Sequence, residues 1–455
     1  MEEYNSLFAI SPIDGRYRNM VKDIENYFSE YAYIKYRVFI EVKWLIYLMD
    51  HNISGGAESK DKILEIYNRF DIEEAKKVKE IEAKTNHDVK AIEYYIRSKV
   101  EEMNLSDCSN YIHFACTSDD INNLAQAKMI MDFLSEVYYP KLNELIDIVS
   151  NKSEEYKDVP MLAHTHGQKA TPTTIGKEFA VFAYRLNRIA DKISKVALTG
   201  KFSGAVGNFN AHSISYPELD WIELNKNFVE SLGIEFNYLT TQIESHDTLC
   251  ELLSEMKLLN NVITDLDQDM WMYISYGYFT QKLVENEVGS SVMPHKVNPI
   301  NFENSMANTS MANSVFDALI NNLQISRMQR DLRDSSLLRN LGTGFGYTLI
   351  SIIQTGKGLN KCVPNKNVLD EELENSPEVL AEAIQTILRK NGYDNAYEML
   401  KEITRGKKVT LEELREFVKN LDINEVDKSV LLELTPQKYI GYAARLCEYK
   451  NIKNR

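Results

Sequence analysis

Chemistry concentrates between residues 287 and 303, which read Glu287-Val-Gly-Ser-Ser-Val-Met-Pro-His-Lys-Val-Asn-Pro-Ile-Asn-Phe-Glu303. A structural connection between helices needs only about two to eight residues. This one is longer and carries the hydroxyls of Ser290 and Ser291 and the cationic candidates His295 and Lys296. Gly289 permits movement, while Pro294 and Pro299 impose rigid turns. Three further polar islands interrupt apolar stretches: Thr85-Asn86-His87-Asp88, Leu162-Ala-His164-Thr165-His166-Gly-Gln168, and Thr240-Thr-Gln242-Ile-Glu-Ser-His-Asp247. Each precedes a helical pattern, where free backbone N–H groups can face an anion. Each alone reads equally well as an ordinary N-cap. Together the four islands hold five of the eight histidines, which favours one composite site. A basic cluster at Arg327, Arg330, Arg333 and Arg339 adds a candidate clamp for phosphate or carboxylate, with Ser335 and Ser336 inside it. Its spacing of three predicts the first three arginines on one helical face. Its plain alternative is a solvated face paired with Asp331 and Asp334.

Several other chemistries fit poorly. His164 and His166 offer two imidazoles, but no nearby Asp, Glu or Cys completes a zinc set, and HExxH is absent, so no metal and no cofactor is expected. Gly356-Lys357 lacks the glycines of a phosphate loop, and Gly342-Thr-Gly344-Phe-Gly346 breaks the dinucleotide spacing. No GxSxG elbow suggests a serine hydrolase. The net charge of −15 argues against binding nucleic acid through bulk charge, and it requires that cations for an anionic substrate be gathered locally. Five cysteines without a CxxC pair suit a reducing cytoplasm. The acidic start Met1-Glu2-Glu3-Tyr4 is unlike a secretion signal, and no apolar run approaches the roughly 20 residues of a membrane span.

The elements that must position these groups are helices. Apolar residues recur at threes and fours from Ile121 to Val149, from Ile175 to Val196 and from Leu249 to Tyr273. Pro140 predicts a kink or joint in the first series. The third has no proline from Ser245 to Met293, which allows a helix of about 40 residues, roughly 60 Å long. Seams of this kind pack helix on helix at shallow angles and need partners along their length, so a long bundle shared between subunits is expected. No alternation sustained enough for a sheet is present. The 455 residues are read as all-α, with an N-terminal helical domain at 1–110, a central long-helix bundle at 111–365 and a C-terminal helical domain at 366–455.

Residues 289–299, Gly-Ser-Ser-Val-Met-Pro-His-Lys-Val-Asn-Pro, resemble the GSSxMPxKxNP signature of the aspartase/fumarase superfamily. Within it the chain is similar to the bacterial-type branch of the adenylosuccinate lyase family. The similarity rests on Ser11–Tyr17, Thr85–Ala91, His113–Asn123, Ala170–Glu178, Gly204–Asn208 and Arg330–Gly342. The resemblance implies a homotetramer with a central helical core and active sites shared by three subunits. It implies elimination of fumarate from adenylosuccinate, giving AMP, and from the succinylated aminoimidazole carboxamide ribotide. It further implies Ser290 as general base on a mobile loop, His166 as general acid supported by Glu303, and His87 assisting from the nucleotide side. Lys296 and Asn298 would hold the succinyl carboxylates, with Thr117, Ser118 and Gln242. Arg16, Tyr17, Arg330, Ser335 and Arg339 would hold the nucleotide and its phosphate. Asn86, Asp88, Thr165, Ser291 and Met293 complete the implied substrate contacts. Argininosuccinate lyase, fumarase and aspartase share the signature and are the nearest alternatives. A helical binding protein without catalysis is the alternative from another class.

Overall fold

The computed structural model describes residues 5–282, 293, 296–404 and 409–448. Along the chain the helices that matter for the site are α1 (Glu30–Asp50), α2 (Ile72–Thr85), α3 (Asp88–Glu102), α4 (Ser118–Phe133), α5 (Tyr139–Glu155), α6 (Ile175–Ile193), α7 (Asp247–Ser275), α8 (Ile300–Leu323), α9 (Arg333–Leu338) and α10 (Leu341–Lys361). The fold is all-α. The expected seams are the buried positions: Ile121, Leu124, Leu142, Leu145 and Val149; Ile175, Phe179, Phe182 and Leu186; Leu252, Met256, Leu259, Ile263, Leu266 and Met270.

Two expectations about the long helices change in detail. The joint at Pro140 is a π-helical turn over Leu134–Tyr138, where the N–H of Tyr139 reaches back five residues to the Leu134 carbonyl. Proline has no N–H to continue the α-ladder, and one widened turn absorbs the mismatch. The third seam stops at Ser275, after 29 residues and not about 40. Gly277 takes φ +77°, its N–H bonds the Ile274 carbonyl, and the Tyr278 N–H bonds that of Tyr273. That pair of bonds is a Schellman stop, which a proline count cannot reveal.

The chain packs as two compact units. The first comprises residues 1–142, 189–261 and 307–352. Its core joins Ile34, Val38, Val42, Leu45 and Met49 of α1 to Val78 of α2 and to Ile92, Tyr95 and Ile96 of α3. Phe28, Phe133 and Phe345 meet with ring centroids 5.1 Å apart in each pair. A Cβ at Gly342 would lie 2.4 Å from the Phe28 Cβ, so only glycine lets this aromatic cluster close. That closure sets the start of α1 beside the start of α10.

The second unit comprises residues 143–188, 262–306 and 353–455. It contains an antiparallel hairpin, β1 (Pro160–Thr165) with β2 (Gln168–Thr174), pairing Thr165 with Gln168 and Pro160 with Thr174. Leu380, Ile384, Leu388, Leu400, Leu414, Val418 and Leu431 form a separate core near the C-terminal end. Among the described residues the other sheet pairings are short, Thr199–Gly200 with Glu235–Phe236 and Phe279–Gln281 with Cys362–Pro364.

Candidate active site

In the first unit, the island at 85–88 joins α2 to α3. Asn86 closes α2 in the left-handed conformation (φ +52°), which asparagine tolerates. His87 caps α3, its Nδ1 accepting from the Lys90 N–H at 3.1 Å. The ring's proton therefore sits on Nε2 in this arrangement, and the side chain is 52% exposed. Asp88 accepts from Arg37 at 2.8 Å. Burial works to raise the Asp88 carboxyl, and the charge and hydrogen bond of Arg37 overcome it, so the pKa is lowered. Arg37 is 1% exposed, donates through Nε to Asn122 at 2.8 Å, and stacks 3.7 Å from the Tyr33 ring centre.

Arg339 approaches the same carboxylate. Its Nη2 lies 3.6 Å from Asp88 Oδ2, and its Nη1 donates to Glu30 at 2.7 Å. Clefts of about 180 Å³ and 250 Å³ both include Arg339 in their walls; Tyr33 and Gln126 line the first, Asp14, Arg18, Ser29 and Thr343 the second. Arg330 donates to Gln242 Oε1 at 3.1 Å, and Gln242 Nε2 donates to the Ala205 carbonyl at 2.9 Å, so both ends of that amide are fixed. Two candidate residues 88 apart in sequence are thus in direct contact.

Thr117 opens α4 with a capping box, its N–H bonded to Asp120 at 2.7 Å, so Thr117 and Ser118 stand at a helix N-terminus. Asp120 is buried and receives Lys201 Nζ at 2.7 Å and the Ser203 N–H at 2.9 Å. Ser335 is half-buried on α9, Arg16 is exposed, and Tyr17 is half-buried with its N–H on the Pro12 carbonyl at 2.8 Å.

The arginine cluster is not one helical face. Only Arg333–Leu338 is helical there, and Met328 at φ +51° breaks the run before it. Asp331 gathers Arg333 at 3.0 Å and Arg327 at 3.9 Å, which leaves Arg330 and Arg339 with separate partners. Of the two partners expected for a solvated face, Asp331 takes Arg327 and Arg333, while Asp334 lies 4.0 Å from His246.

In the second unit, the island at 162–168 is not a helix N-terminus. His166 (φ +53°) and Gly167 (φ +71°) are the two central residues of the hairpin turn, the mirror-image turn whose twist matches its strands. Thr165 and His166 are exposed at its tip. His164 lies lower on β1, 3.9 Å from Glu372 and stacked on Tyr276. Glu303, in the first turn of α8, accepts from the Trp271 indole at 3.0 Å. Lys296 and Met293 are exposed and Asn298 is half-buried; the Lys296 N–H bonds the Met293 carbonyl at 3.0 Å. Ser290, Ser291 and His295 lie outside the described residues, as does most of the expected mobile loop.

The sequence reading missed buried partners on α1. Glu41 is buried and sits 2.6 Å from His113 Nδ1, with His113 itself at φ +59°. Burial works to lower the imidazole pKa there, but the Glu41 charge outweighs it and the value is raised. The available signal was weak: Arg37 and Glu41 stand four apart around Val38, Phe39 and Ile40, with Lys35 and Lys43 close by on the same helix.

An all-α fold carrying these helix-terminal polar groups and the 289–299 motif defines the class of fumarase- and aspartase-type lyases. A family model described as Lyase matches residues 15–316, and one described as Adenylosuccinate lyase C-terminal matches 326–440. The chain belongs to the adenylosuccinate lyase family. The adenylosuccinate lyase of Legionella pneumophila strain Corby is 47% identical over 97% of this chain and 98% of its own. That of Escherichia coli K12 is 46% identical over 98% and 99%. The structure of a fumarate lyase from Mesorhizobium sp. BNC1 has the same fold, with a TM-score of 0.77 at 17% identity, covering 95% of this chain and 98% of that one. A 3-carboxy-cis,cis-muconate lactonizing enzyme from Pseudomonas putida follows at 0.75 and 17%, covering 95% and 97%.

Proposed function

We propose that this lyase eliminates fumarate from adenylosuccinate, giving AMP, and from the succinylated aminoimidazole carboxamide ribotide. The observation that carries the reading is identity of 46–47% over nearly the whole length of curated adenylosuccinate lyases. The Arg330–Gln242 pair and the His87–Asp88–Arg339 group support it, because they gather donors and cations for an anionic ligand on a chain of net charge −15.

The reaction removes a proton from the carbon beside a carboxylate and breaks the C–N bond to the base. Ser290, as an alkoxide, takes the proton, and the electron pair is held on the adjacent carboxylate. Lys296, Asn298, Thr117, Ser118 and Gln242 stabilise that charge, the largest help a site can give. The pair then forms the double bond of fumarate as the nitrogen leaves with a proton from His166. An imidazole titrates near neutrality and suits this acid role. Glu303 orients His166, and His87 donates its Nε2 proton on the nucleotide side. Arg16, Tyr17, Arg330, Ser335 and Arg339 hold the nucleotide, with Asn86, Asp88, Thr165, Ser291 and Met293 shaping its surroundings.

Four copies assemble in the cytoplasm around the bundle of the central domain (111–365), flanked by the domains at 1–110 and 366–455, and each site draws on three copies. The exposed apolar residues Leu258, Trp271 and Met272 on α7 and Met311 on α8 support an assembly built on these helices. Ultraviolet-monitored cleavage of adenylosuccinate by the purified protein tests the reaction. Release of AMP and fumarate, abolished by Ser290→Ala, is expected. No conversion by the folded protein would reject the reading, and argininosuccinate, malate and aspartate would be tried next.

A further inference from the structure

We infer that Glu30 is a positioning residue that holds Arg339 and opposes an incoming phosphate there, so that it limits affinity for substrate and product alike. The inference rests on the proposed role of Arg339 in holding the nucleotide. The geometry sets Glu30 apart from the other carboxylates near Arg339 by its short contact with that guanidinium. Asp88 has its own cation, the buried Arg37 at 2.8 Å. Glu82 has Lys79 at 2.7 Å, and Lys79 lies 3.3 Å from Glu30. The remaining close pair is Glu30 with Arg339 at 2.7 Å, both partly exposed at 42% and 43%.

An anion binding Arg339 must therefore displace Glu30 or share the guanidinium with it. In either case it meets a carboxylate whose other cation among the described residues is Lys79, shared with Glu82. The arrangement survives displacement, because Lys79 remains as a second-best partner. The residue is also firmly placed: Ser29 caps α1 by accepting from the Ala32 N–H, and Phe28 is locked against Phe133 and Phe345. Glu30 touches no reacting atom in this scheme, so it shifts substrate and transition state together and changes KM and not the chemical step.

The test compares the intact enzyme with Glu30→Gln and Glu30→Asp. For Glu30→Gln, KM for adenylosuccinate and the competitive constant for inorganic phosphate should both fall by roughly two- to fivefold, the range open to a partly exposed ion pair. The kcat should not rise, and Glu30→Asp should restore values near those of the intact enzyme. An unchanged or higher phosphate constant in Glu30→Gln would overturn the inference; a higher one would mean that Glu30 presents Arg339 to the anion. Phosphate binding is also read by thermal shift, without turnover. A protein that binds phosphate more tightly as Glu30→Gln yet does not cleave adenylosuccinate would sink the proposed reaction and leave the Glu30–Arg339 competition standing.

Discussion

At the residue scale, two charges that support the site, Arg37 and Glu41, are buried. Arg37 spans from Asn122 to Asp88 and so connects the α4 core to the island holding His87. Removing one partner of a buried, hydrogen-bonded charge pair strands the other and costs about 3–5 kcal/mol. The partial exposure of Asp88 puts Arg37→Met at the lower end, about 3 kcal/mol in urea unfolding. The same variant should lose activity, because Asp88 and the cap at His87 lose their anchor. Full activity with lost stability would separate Arg37 from the site. The Glu41–His113 pair yields a pH prediction. The folded pKa of His113 is raised, so its contribution is complete below the unfolded value, near 6.5, and fades as pH rises through the folded one. The stability gap between the intact protein and Glu41→Gln should therefore be wider at pH 6 than at pH 9. A gap independent of pH would mean the pair titrates alike in both states.

At the scale of elements, helices were legible in the sequence and their interruptions were not. A seam repeating at threes and fours declares its buried face whatever the partner, and Leu252 to Met270 are buried as that rule requires. The Schellman stop at Gly277, the π turn before Pro140 and the hairpin turn at His166-Gly167 each depend on one or two backbone conformations, which leave no periodic trace. The hairpin matters most, since it alters how His166 is presented. A polar island before a helix resembles a cap, whereas the structure spends it on a two-residue turn. The bundle also hides a buried carboxyl. Asp267 on α7 accepts from Thr355 at 2.8 Å, and Ser305 bonds Thr355 at 2.8 Å. Burial raises its pKa to about 8, against the lowering effect of the Ser305 and Thr355 hydroxyls. The folded protein thus keeps a proton that the unfolded chain gives up near pH 4, and stability is lost as pH climbs from there towards 8. Asp267→Asn removes that dependence. The variant should gain stability relative to the intact protein between pH 5 and pH 9 in thermal unfolding. A loss that deepens with pH would show the ionised carboxylate to be the stabilising form.

At the scale of the whole molecule, the candidate site was legible as residue types and illegible as partners. His87, Gln242, Arg330 and Arg339 stand out as polar breaks in apolar patterns. Glu30, Arg37 and Glu41 show only as charges on a helix that also carries Lys35 and Lys43, and their counterparts, 51 to 309 residues away along the chain, cannot be read from it. If each site combines polar islands of three copies, then Ser290→Ala and His87→Gln disable every site in their own homotetramers by different residues. In a tetramer containing both, some sites draw an intact Ser290 from one copy and an intact His87 from another. Two inactive variants, dissociated together and reassembled, should therefore regain a fraction of the unaltered turnover, and a size measurement should find four 52.5 kDa chains throughout. With random mixing the recovered fraction approaches about one quarter, since each of the two positions is intact in half of the copies and they come from different ones. Recovery absent from tetramers shown to contain both variants would place Ser290 and His87 of one site on a single copy.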